Sequence, residues 1–146
     1  MRTVFVDTNV LVYASDSAAG RKHAVAEGLL GGLGMSRLTI SAQVLSEYAN
    51  VLVHPRKRAL SAALALTYVR RMARSLHVLP IDVPVVIAAL EGVDRWGMAY
   101  YDAQIWAVAA LNNISIVLSE DFPSGAILGG VRFVNPFEPG FDPASL

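Results

Sequence analysis

The sequence predicts an α/β fold in which a central, mostly parallel sheet is flanked by helices on both faces. Short apolar runs rich in β-branched residues alternate with segments whose apolar residues recur at helical spacing. This alternation is typical of a parallel sheet, because a crossover between parallel strands is long enough to hold a helix. The chain has 146 residues, of which 54% are hydrophobic and 16% charged. We therefore expect one folded domain over residues 1–146 and no disordered chain.

In the first half of the chain, glycine, proline and capping residues separate the predicted elements. These elements are a strand that ends before Asp7, helices at 8–14 and 21–30, a strand at 38–40 and a helix at 42–53. Gly31 and Gly32 end the second helix, and Ser41 can cap the third. Pro55 ends that third helix or lies just beyond it.

The second half of the chain repeats the pattern and adds two late strands. Its predicted elements are a helix from 61 to about 74, an extended segment at 78–81, helices at 83–95 and 101–111, strands at 114–118 and 131–134, and a loop at 122–130. Asp82 can cap the helix that follows it, and Asn112 with Asn113 ends the last helix. We expect the proline-rich tail at 135–146 to lie across the surface of a core that spans about 3–136.

Composition and charge exclude several classes of structure and function. The formal net charge is zero and the pI is near 6.8, so no overall positive field attracts nucleic acid. Nucleic acid stays open as a partner, because an acidic site that holds metal ions can approach phosphates through those ions. The absence of cysteine excludes disulfides and thiolate metal sites. No apolar stretch resembles a signal peptide or a membrane span, so we expect a soluble cytoplasmic protein without a membrane partner.

Acidic residues directly follow two of the predicted strands. Asp7 ends the first apolar run, and Glu120 with Asp121 comes after the strand at 114–118. Ligands of open α/β sheets bind at the carboxyl ends of strands, so these acids predict one acidic cleft. A structural role stays open for each of them, because Asp7 can cap the following helix and Asp121 can be a turn residue.

Two further acids lie on predicted helices. Asp102 falls in the first turn of its helix, on the face of Ile105 and Trp106, so its carboxylate is predicted to point toward the interior. A buried carboxylate is costly without a partner or a metal ion, although Asp102 can also be a capping residue. Glu47 falls at the border of the apolar stripe of its helix, where periodicity alone favours a solvated position.

As a set, these acids favour a site for a divalent cation. Several carboxylates cannot share a small site as anions without a compensating cation. Oxygen ligands without cysteine favour Mg²⁺ or Mn²⁺, which can polarise a phosphate and ionise a water for in-line attack. The chain contains no Walker phosphate loop and no dinucleotide-binding fingerprint, and it shows no Ser-His-Asp order.

Four short motifs, in order and at fitting distances, give a resemblance to a known family. They are Val6-Asp7-Thr8-Asn9-Val10-Leu11, Ser46-Glu47, Tyr101-Asp102-Ala103 and Ser119-Glu120-Asp121, followed by a closing Val134-Asn135-Pro136-Phe137. With these motifs, residues from about 3 to 136 resemble a PIN domain. Within that superfamily the chain is most similar to VapC-type toxins of type II toxin–antitoxin systems.

The resemblance implies a metal-dependent endoribonuclease fold, and it implies roles for individual residues. The implied catalytic and metal-binding set is Asp7, Glu47, Asp102 and Asp121 around Mg²⁺ or Mn²⁺, with Asn9, Ser119 and Glu120 in supporting positions. Asp121 is a better match than Glu120 to the last acid of the family pattern. The resemblance also implies an RNA substrate, a homodimer and a small antitoxin protein whose tail blocks the cleft.

Basic residues and two rival functions complete the predictions. Arg56, Lys57 and Arg58 are candidates for binding RNA phosphates, whereas the arginines at 70–74 fit complementarity with a helix dipole equally well. One rival is a non-catalytic PIN-like scaffold that binds RNA or a protein. The other is a receiver-like phospho-acceptor module, which is disfavoured because Lys22 and Lys57 lie far from the C-terminal strands.

Overall fold

The computed structural model describes residues 2–34 and 37–146, and in these ranges the chain forms one six-stranded sheet. The strands are β1 Val4–Val6, β2 Leu38–Ser41, β3 His77–Leu79, β4 Ile116–Leu118, β5 Ile127–Leu128 and β6 Val131–Val134. Their order is β3-β2-β1-β4-β6-β5, and neighbouring strands are parallel except for β5 and β6. The predicted α/β fold with a mostly parallel sheet is confirmed.

Six α-helices connect the strands in the described ranges. They are α1 Thr8–Ala14, α2 Arg21–Gly32, α3 Ala42–Val53, α4 Ala62–Ser75, α5 Val83–Trp96 and α6 Tyr100–Leu111. The side chains of Ser41, Ser61 and Asp82 each accept a hydrogen bond from an amide in the first turn of α3, α4 and α5. Gly97 ends α5 in the left-handed conformation, with φ at +66°, which glycine adopts without strain.

The order of the strands reverses at β1, and this reversal places the carboxyl ends of β1 and β4 side by side. From β1 the chain moves outward through β2 to β3, and it then returns to β4 on the other side of β1. Helices α1 to α4 pack on one another, whereas α5 packs on α6. Because crossovers between parallel strands are right-handed, the reversal puts these two groups of helices on opposite faces. A crevice therefore opens at the carboxyl ends of β1 and β4, where open α/β sheets bind ligands.

The core is continuous from the central strands into α6. All residues of β1 and β4 are buried, and so are residues 103–109 of α6. The Trp106 ring packs edge-on against Trp96 with the centroids 4.7 Å apart, and Trp106 Nε1 donates to the Leu128 carbonyl at 3.0 Å. Helix α6 is thus held in the interior, which brings its first turn close to the sheet.

Several helices and strands have bounds that differ from the prediction by one or two residues. Helix α2 continues to Gly32, two residues beyond the predicted end, and α6 begins at Tyr100. A glycine inside a helix costs about 1 kcal/mol. Packing overrides that cost in α2, because Leu29 and Leu30 are buried. The strand predicted at 114–118 begins at Ile116.

Two predictions for the C-terminal part of the chain were wrong in detail. The segment predicted as a loop at 122–130 contains β5, which pairs antiparallel with β6 across Gly129 and Gly130. A strand of two residues is too short to show a period-2 pattern in the sequence. The tail does not lie wholly on the surface, because Pro136 and Phe137 are buried. Among the helices of the described ranges, none has the length and apolar character needed to traverse a lipid bilayer.

Candidate functional site

Asp7 stands between β1 and α1 and is the most buried acid of the predicted set. Its Oδ1 accepts a hydrogen bond from the Thr8 amide at 2.7 Å, so it caps α1. Its Oδ2 accepts from the Ser119 hydroxyl at 2.6 Å. The residue is 4% exposed. Capping and a place in the acidic cleft, which were alternatives in the sequence, therefore coincide at one carboxylate.

The loop after β4 lies directly opposite Asp7, and Asn9 bridges the two. Asn9 Nδ2 is 3.1 Å from Asp121 Oδ2, 3.3 Å from Ser119 Oγ and 3.4 Å from Asp7 Oδ2. The Asp121 amide also donates to Ser119 Oγ at 3.1 Å. Parallel pairing of β1 with β4 makes this meeting possible, because it brings both strand ends to the same edge. The structure thus brings four residues predicted from the sequence into one network.

Glu47 joins the same edge of the sheet from α3. Thr8 Oγ1 donates to Glu47 Oε2 at 2.9 Å, and Gln43 Nε2 donates to Glu47 Oε1 at 2.8 Å. Gln43 Oε1 in turn accepts from Gln104 Nε2 of α6 at 2.6 Å. Glu47 is half-buried, and it does not face bulk solvent as periodicity alone suggested. Both of its oxygens are oriented by neutral donors.

Asp102 approaches from the first turn of α6. It is half-buried, and no hydrogen bond within the described residues involves its side chain. Burial raises the pKa of Asp102, and the nearby negative charges of Asp121 and Glu47 raise it further. The Asp102 carboxylate therefore belongs electrostatically to the set, although no hydrogen bond fixes its position.

Burial dominates the electrostatics of Asp7, and the neighbouring acids add to its effect. Burial raises the pKa of Asp7 from 3.8 to about 6, and the charges of Asp121 and Glu47 act in the same direction. Hydrogen bonds from Ser119 and Thr8 act against this rise, because they favour the ionised form. Ionisation of Asp7 therefore costs the native state free energy, and an approaching positive charge would reduce that cost.

The donor chemistry of this acidic site fits a divalent cation. All potential ligands are carboxylate, amide or hydroxyl oxygens, and burial together with the charges of Asp121 and Glu47 raises the pKa of Asp7 and of Asp102. In residues 2–34 and 37–146, no three histidine or acidic side chains are grouped so that they could hold a metal ion together. Mg²⁺ does not require such a group, because it usually binds through one or two carboxylates and keeps several waters. Asp7 and Asp121, whose carboxylates both contact Asn9, would supply these two carboxylates.

Four predicted residues lie outside the acidic network. The Glu120 carboxylate turns away from it and pairs with Lys22 Nζ at 2.7 Å. Arg58 donates from Nη1 to the Ser15 carbonyl at 3.0 Å, at the end of α1. Arg56 and Lys57 are exposed in the turn after α3. The contact of these basic residues with RNA stays a prediction.

Sequence reasoning missed several polar residues that orient the acids. Thr8 and Gln43 orient Glu47, and Gln104 extends that network to α6. Gln43 and Glu47 are four residues apart on one helix, which is the one signal in the sequence that could have paired them. Lys22 and Glu120 are 98 residues apart in the chain, so only the fold reveals their contact.

Comparison with known structures places this architecture among toxin structures. The toxin–antitoxin complex from Klebsiella pneumoniae has a TM-score of 0.71 and 18% identity, over 93% of this chain and 99% of that chain. The sarcin-ricin loop cleaving toxin VapC20 of Mycobacterium tuberculosis has a TM-score of 0.68 and 20% identity, over 89% and 99%. DNA-bound VapBC from Salmonella typhimurium has a TM-score of 0.67 and 21% identity, over 91% and 97%. At these identities the likeness shows a shared fold.

Sequence comparison identifies the family. No curated protein matches the chain. The family profile described as the PIN domain matches residues 4–122, a range that begins with β1 and includes Asp7, Glu47, Asp102 and Asp121. The chain belongs to the PIN-domain family.

Proposed function

We propose that this PIN domain is an endoribonuclease that hydrolyses RNA phosphodiester bonds with the help of Mg²⁺ or Mn²⁺. The observation that carries the proposal is the convergence of Asp7, Asp121, Glu47 and Asp102 at the reversal of the strand order. Such an edge is where open α/β sheets bind ligands, and an uncompensated group of carboxylates selects a cation. PIN and VapC proteins are nucleases, which agrees with this chemistry.

The residues of the chain divide into acids that would hold the cation and donors that orient them. A bound divalent ion supplies the positive charge that polarises a phosphate and activates water. Asp7 and Asp121 would hold it directly, and Asp102 and Glu47 would add negative charge at the same edge of the sheet. Ser119 and Asn9 orient Asp7 and Asp121, whereas Thr8 and Gln43 orient Glu47. The Asp102 side chain makes no hydrogen bond in the described residues, so it can adjust when phosphate and cation arrive.

The decisive experiment is cleavage of defined tRNA and rRNA fragments by the purified protein. We expect cleavage with Mg²⁺ or Mn²⁺, none with EDTA, and none by Asp7→Asn or Asp121→Asn. Asp94→Asn, at an exposed position on α5, controls for the loss of one negative charge. In parallel, millimolar Mg²⁺ should raise the melting temperature of the wild type and not that of Asp121→Asn, since binding to the native state alone stabilises it. Wild-type cleavage in EDTA, or by the Asp7→Asn variant, would contradict the proposal.

The main rival is a PIN-like scaffold that binds RNA or a protein without cutting. It predicts a folded wild type that binds the same fragments with Mg²⁺ present and leaves them intact over a full concentration series. Binding is therefore measured on the samples used for cleavage. Arg56→Ala with Lys57→Ala should weaken RNA affinity for all fragments alike and flatten its salt dependence by about one unit per lost phosphate contact.

The proposed biological setting is the toxin of a toxin–antitoxin pair. Its support is the shared fold with the Klebsiella pneumoniae complex and with VapBC from Salmonella typhimurium. Expression of the wild type should arrest growth, and the Asp7→Asn variant should not. Co-expression with the protein encoded next to this gene should restore growth. Growth arrest by the inactive variant would separate toxicity from nuclease activity and contradict this setting.

The proposed homodimer has a candidate surface on α5. Val83, Val86, Ile87 and Leu90 form a stripe at spacings of three and four residues, and each is between 38% and 70% exposed. Exposed apolar stripes of this kind are typical of protein interfaces. The opposite face of α5 packs on α6, so a partner would bind directly behind the helix that carries Asp102.

A further inference from the structure

Tyr13, Lys22 and Glu120 form a polar cluster beside the acidic site. Tyr13 OH donates to Glu120 Oε1 at 2.6 Å, and Lys22 Nζ donates to Glu120 Oε2 at 2.7 Å. Lys22 Nζ also donates to Tyr13 OH at 3.3 Å. Both carboxylate oxygens of Glu120 are thus occupied by donors from α1 and α2. Glu120 is therefore bound to the helices, and it is not directed at the position where a cation would lie.

The neighbours of Glu120 in the chain explain why its attachment matters. Ser119 donates to Asp7, and Asp121 accepts from Asn9, so the residues on both sides of Glu120 face the acidic site. Asn9 and Tyr13 are four residues apart on α1 and therefore share a face of that helix. Helix α1 thus holds this loop at two points, through Asn9 at Asp121 and through Tyr13 at Glu120.

Aromatic rings and the C-terminal segment fix the direction of Lys22. Lys22 Nζ lies 4.9 Å from the Tyr13 ring centroid and 5.7 Å from that of Phe137. The two rings meet edge-on with centroids 5.1 Å apart, and Arg21 Nη1 donates to the Phe137 carbonyl at 2.8 Å. Lys22 is thus held between α2, α1 and the segment after β6. The Lys22–Glu120 ion pair is therefore supported by contacts with Tyr13 and Phe137, which a fully solvated surface pair lacks.

We propose that Lys22, together with Tyr13, is a positioning residue that keeps Asp121 opposite Asp7 and Asn9 by binding Glu120. The proposal rests on the proposed function, because it assigns Asp121 a part in the reaction. Lys22 is a cation, so it cannot be a metal ligand, and its removal leaves every acid of the site in the chain. Its side chain is 44% exposed, so the ion pair adds little to global stability. We expect removal of Lys22 to increase the mobility of the loop at Glu120 and Asp121 and to lower the cleavage rate.

The test compares Lys22→Met, Lys22→Arg and Tyr13→Phe with the wild type. Arg37→Met is the matched control, since it removes one positive charge directly before β2, at the opposite edge of the sheet. The first measurement is ¹⁵N relaxation of the Glu120 and Asp121 amides in metal-free protein. The second is single-turnover cleavage of a defined RNA over a range of protein concentrations, which separates the maximal rate from RNA affinity. Melting temperatures verify that each variant is folded.

In Lys22→Met, order parameters at Glu120 and Asp121 should fall from about 0.85 toward 0.6. The maximal cleavage rate should fall by about 10- to 100-fold with RNA affinity nearly unchanged, because a misplacement of about 1 Å can cost on the order of 100-fold. Lys22→Arg should restore most of the rate, because arginine can still pair with Glu120. Tyr13→Phe should show a smaller loss than Lys22→Met, and Arg37→Met should match the wild type.

Three outcomes would overturn the proposal. The first is a loop at Glu120 and Asp121 that stays as rigid in the double variant Lys22→Met/Tyr13→Phe as in the wild type. The second is a loop that becomes mobile in Lys22→Met while the maximal cleavage rate stays unchanged. The third is a rate that falls through RNA affinity alone, which would make Lys22 a phosphate-binding residue. A wild type that cleaves no RNA refutes the proposed function by itself. In that case the relaxation measurement still tests whether Lys22 holds the loop in place. A loop that stays rigid in the variants would show that it does not.

Discussion

Replacement of Asp7 by asparagine should stabilise the protein at neutral pH while it abolishes activity. Asparagine keeps the size of the side chain and can still cap α1 through its oxygen. Burial raises the pKa of Asp7 from 3.8 to about 6. At about 1.4 kcal/mol per pH unit, that difference corresponds to about 3 kcal/mol of native-state free energy lost when Asp7 ionises. The Asp7→Asn substitution would remove this cost, less the hydrogen bond that Ser119 donates to Oδ2, because the amide nitrogen that replaces Oδ2 cannot accept it.

The pH dependence of the effect follows from the direction of the shift in pKa. Below 3.8, Asp7 is protonated in both the native and the unfolded state, so asparagine gains nothing. Between 3.8 and about 6 the native state binds more protons than the unfolded state, and wild-type stability falls as pH rises. Above about 6 the full pKa-linked cost of about 3 kcal/mol is present in the wild type, and the variant gains this amount less the lost Ser119 hydrogen bond.

The assay is chemical denaturation of both proteins in metal-free buffer from about pH 4 to about pH 8. The difference in the free energy of unfolding should grow across this range, from near zero to about 1–3 kcal/mol in favour of Asp7→Asn. Asp94→Asn serves as the control for net charge, at an exposed position. A difference that stays constant with pH, or an Asp7→Asn variant less stable than the wild type at about pH 8, would contradict this prediction.

Three further substitutions test packing, capping and assembly. Gly129→Ala should lower the free energy of unfolding by about 1–3 kcal/mol, since φ is +53° and a Cβ would lie 3.0 Å from Trp96 and 3.1 Å from Trp106. Chemical denaturation measures this loss, and an unchanged free energy of unfolding would contradict the prediction. Ser41→Ala should cost about 0.5–2 kcal/mol, because its buried hydroxyl caps α3; an unchanged denaturation midpoint would count against that. Ile87→Glu should convert the proposed dimer to a monomer in light scattering, and an unchanged mass would exclude the α5 stripe as the interface.

Strands and caps were predictable because they depend on local patterns. The apolar run before Asp7 and the serine before α3 carry their signals within a few residues, so the elements appeared where expected. Even the carboxyl-end placement of Asp7 and Asp121 followed, because two parallel strands that end on acids must bring them to the same edge. The position of β5 was not predictable in this way, since two residues carry no periodicity.

The position of Glu47 could not be predicted from periodicity, for a physical reason. A helical border position faces solvent only if nothing else packs there, and here Thr8 and Gln43 occupy that space. The contact with Thr8 needs the packing of α1 against α3, which no local pattern encodes. The motif resemblance put Glu47 in the acidic set as an expectation, and the hydrogen bonds supply the mechanism by which it is oriented.

The donors that contact the acidic site are neutral, which supports the proposed binding of a divalent cation. The hydroxyls of Ser119 and Thr8 and the amides of Asn9 and Gln43 are neutral, so they fix the carboxylate oxygens without cancelling their charge. Lys22 could have cancelled it, but its ammonium group pairs with Glu120 on the outer side of the loop. A permanent ion pair inside the cleft would have opposed the rise in the pKa of Asp7, which burial causes and repulsion increases, and it would also have competed with any bound metal. The fold therefore orients Asp7, Asp121 and Glu47 while it leaves their charge uncompensated, and this combination favours the proposed binding of a divalent ion.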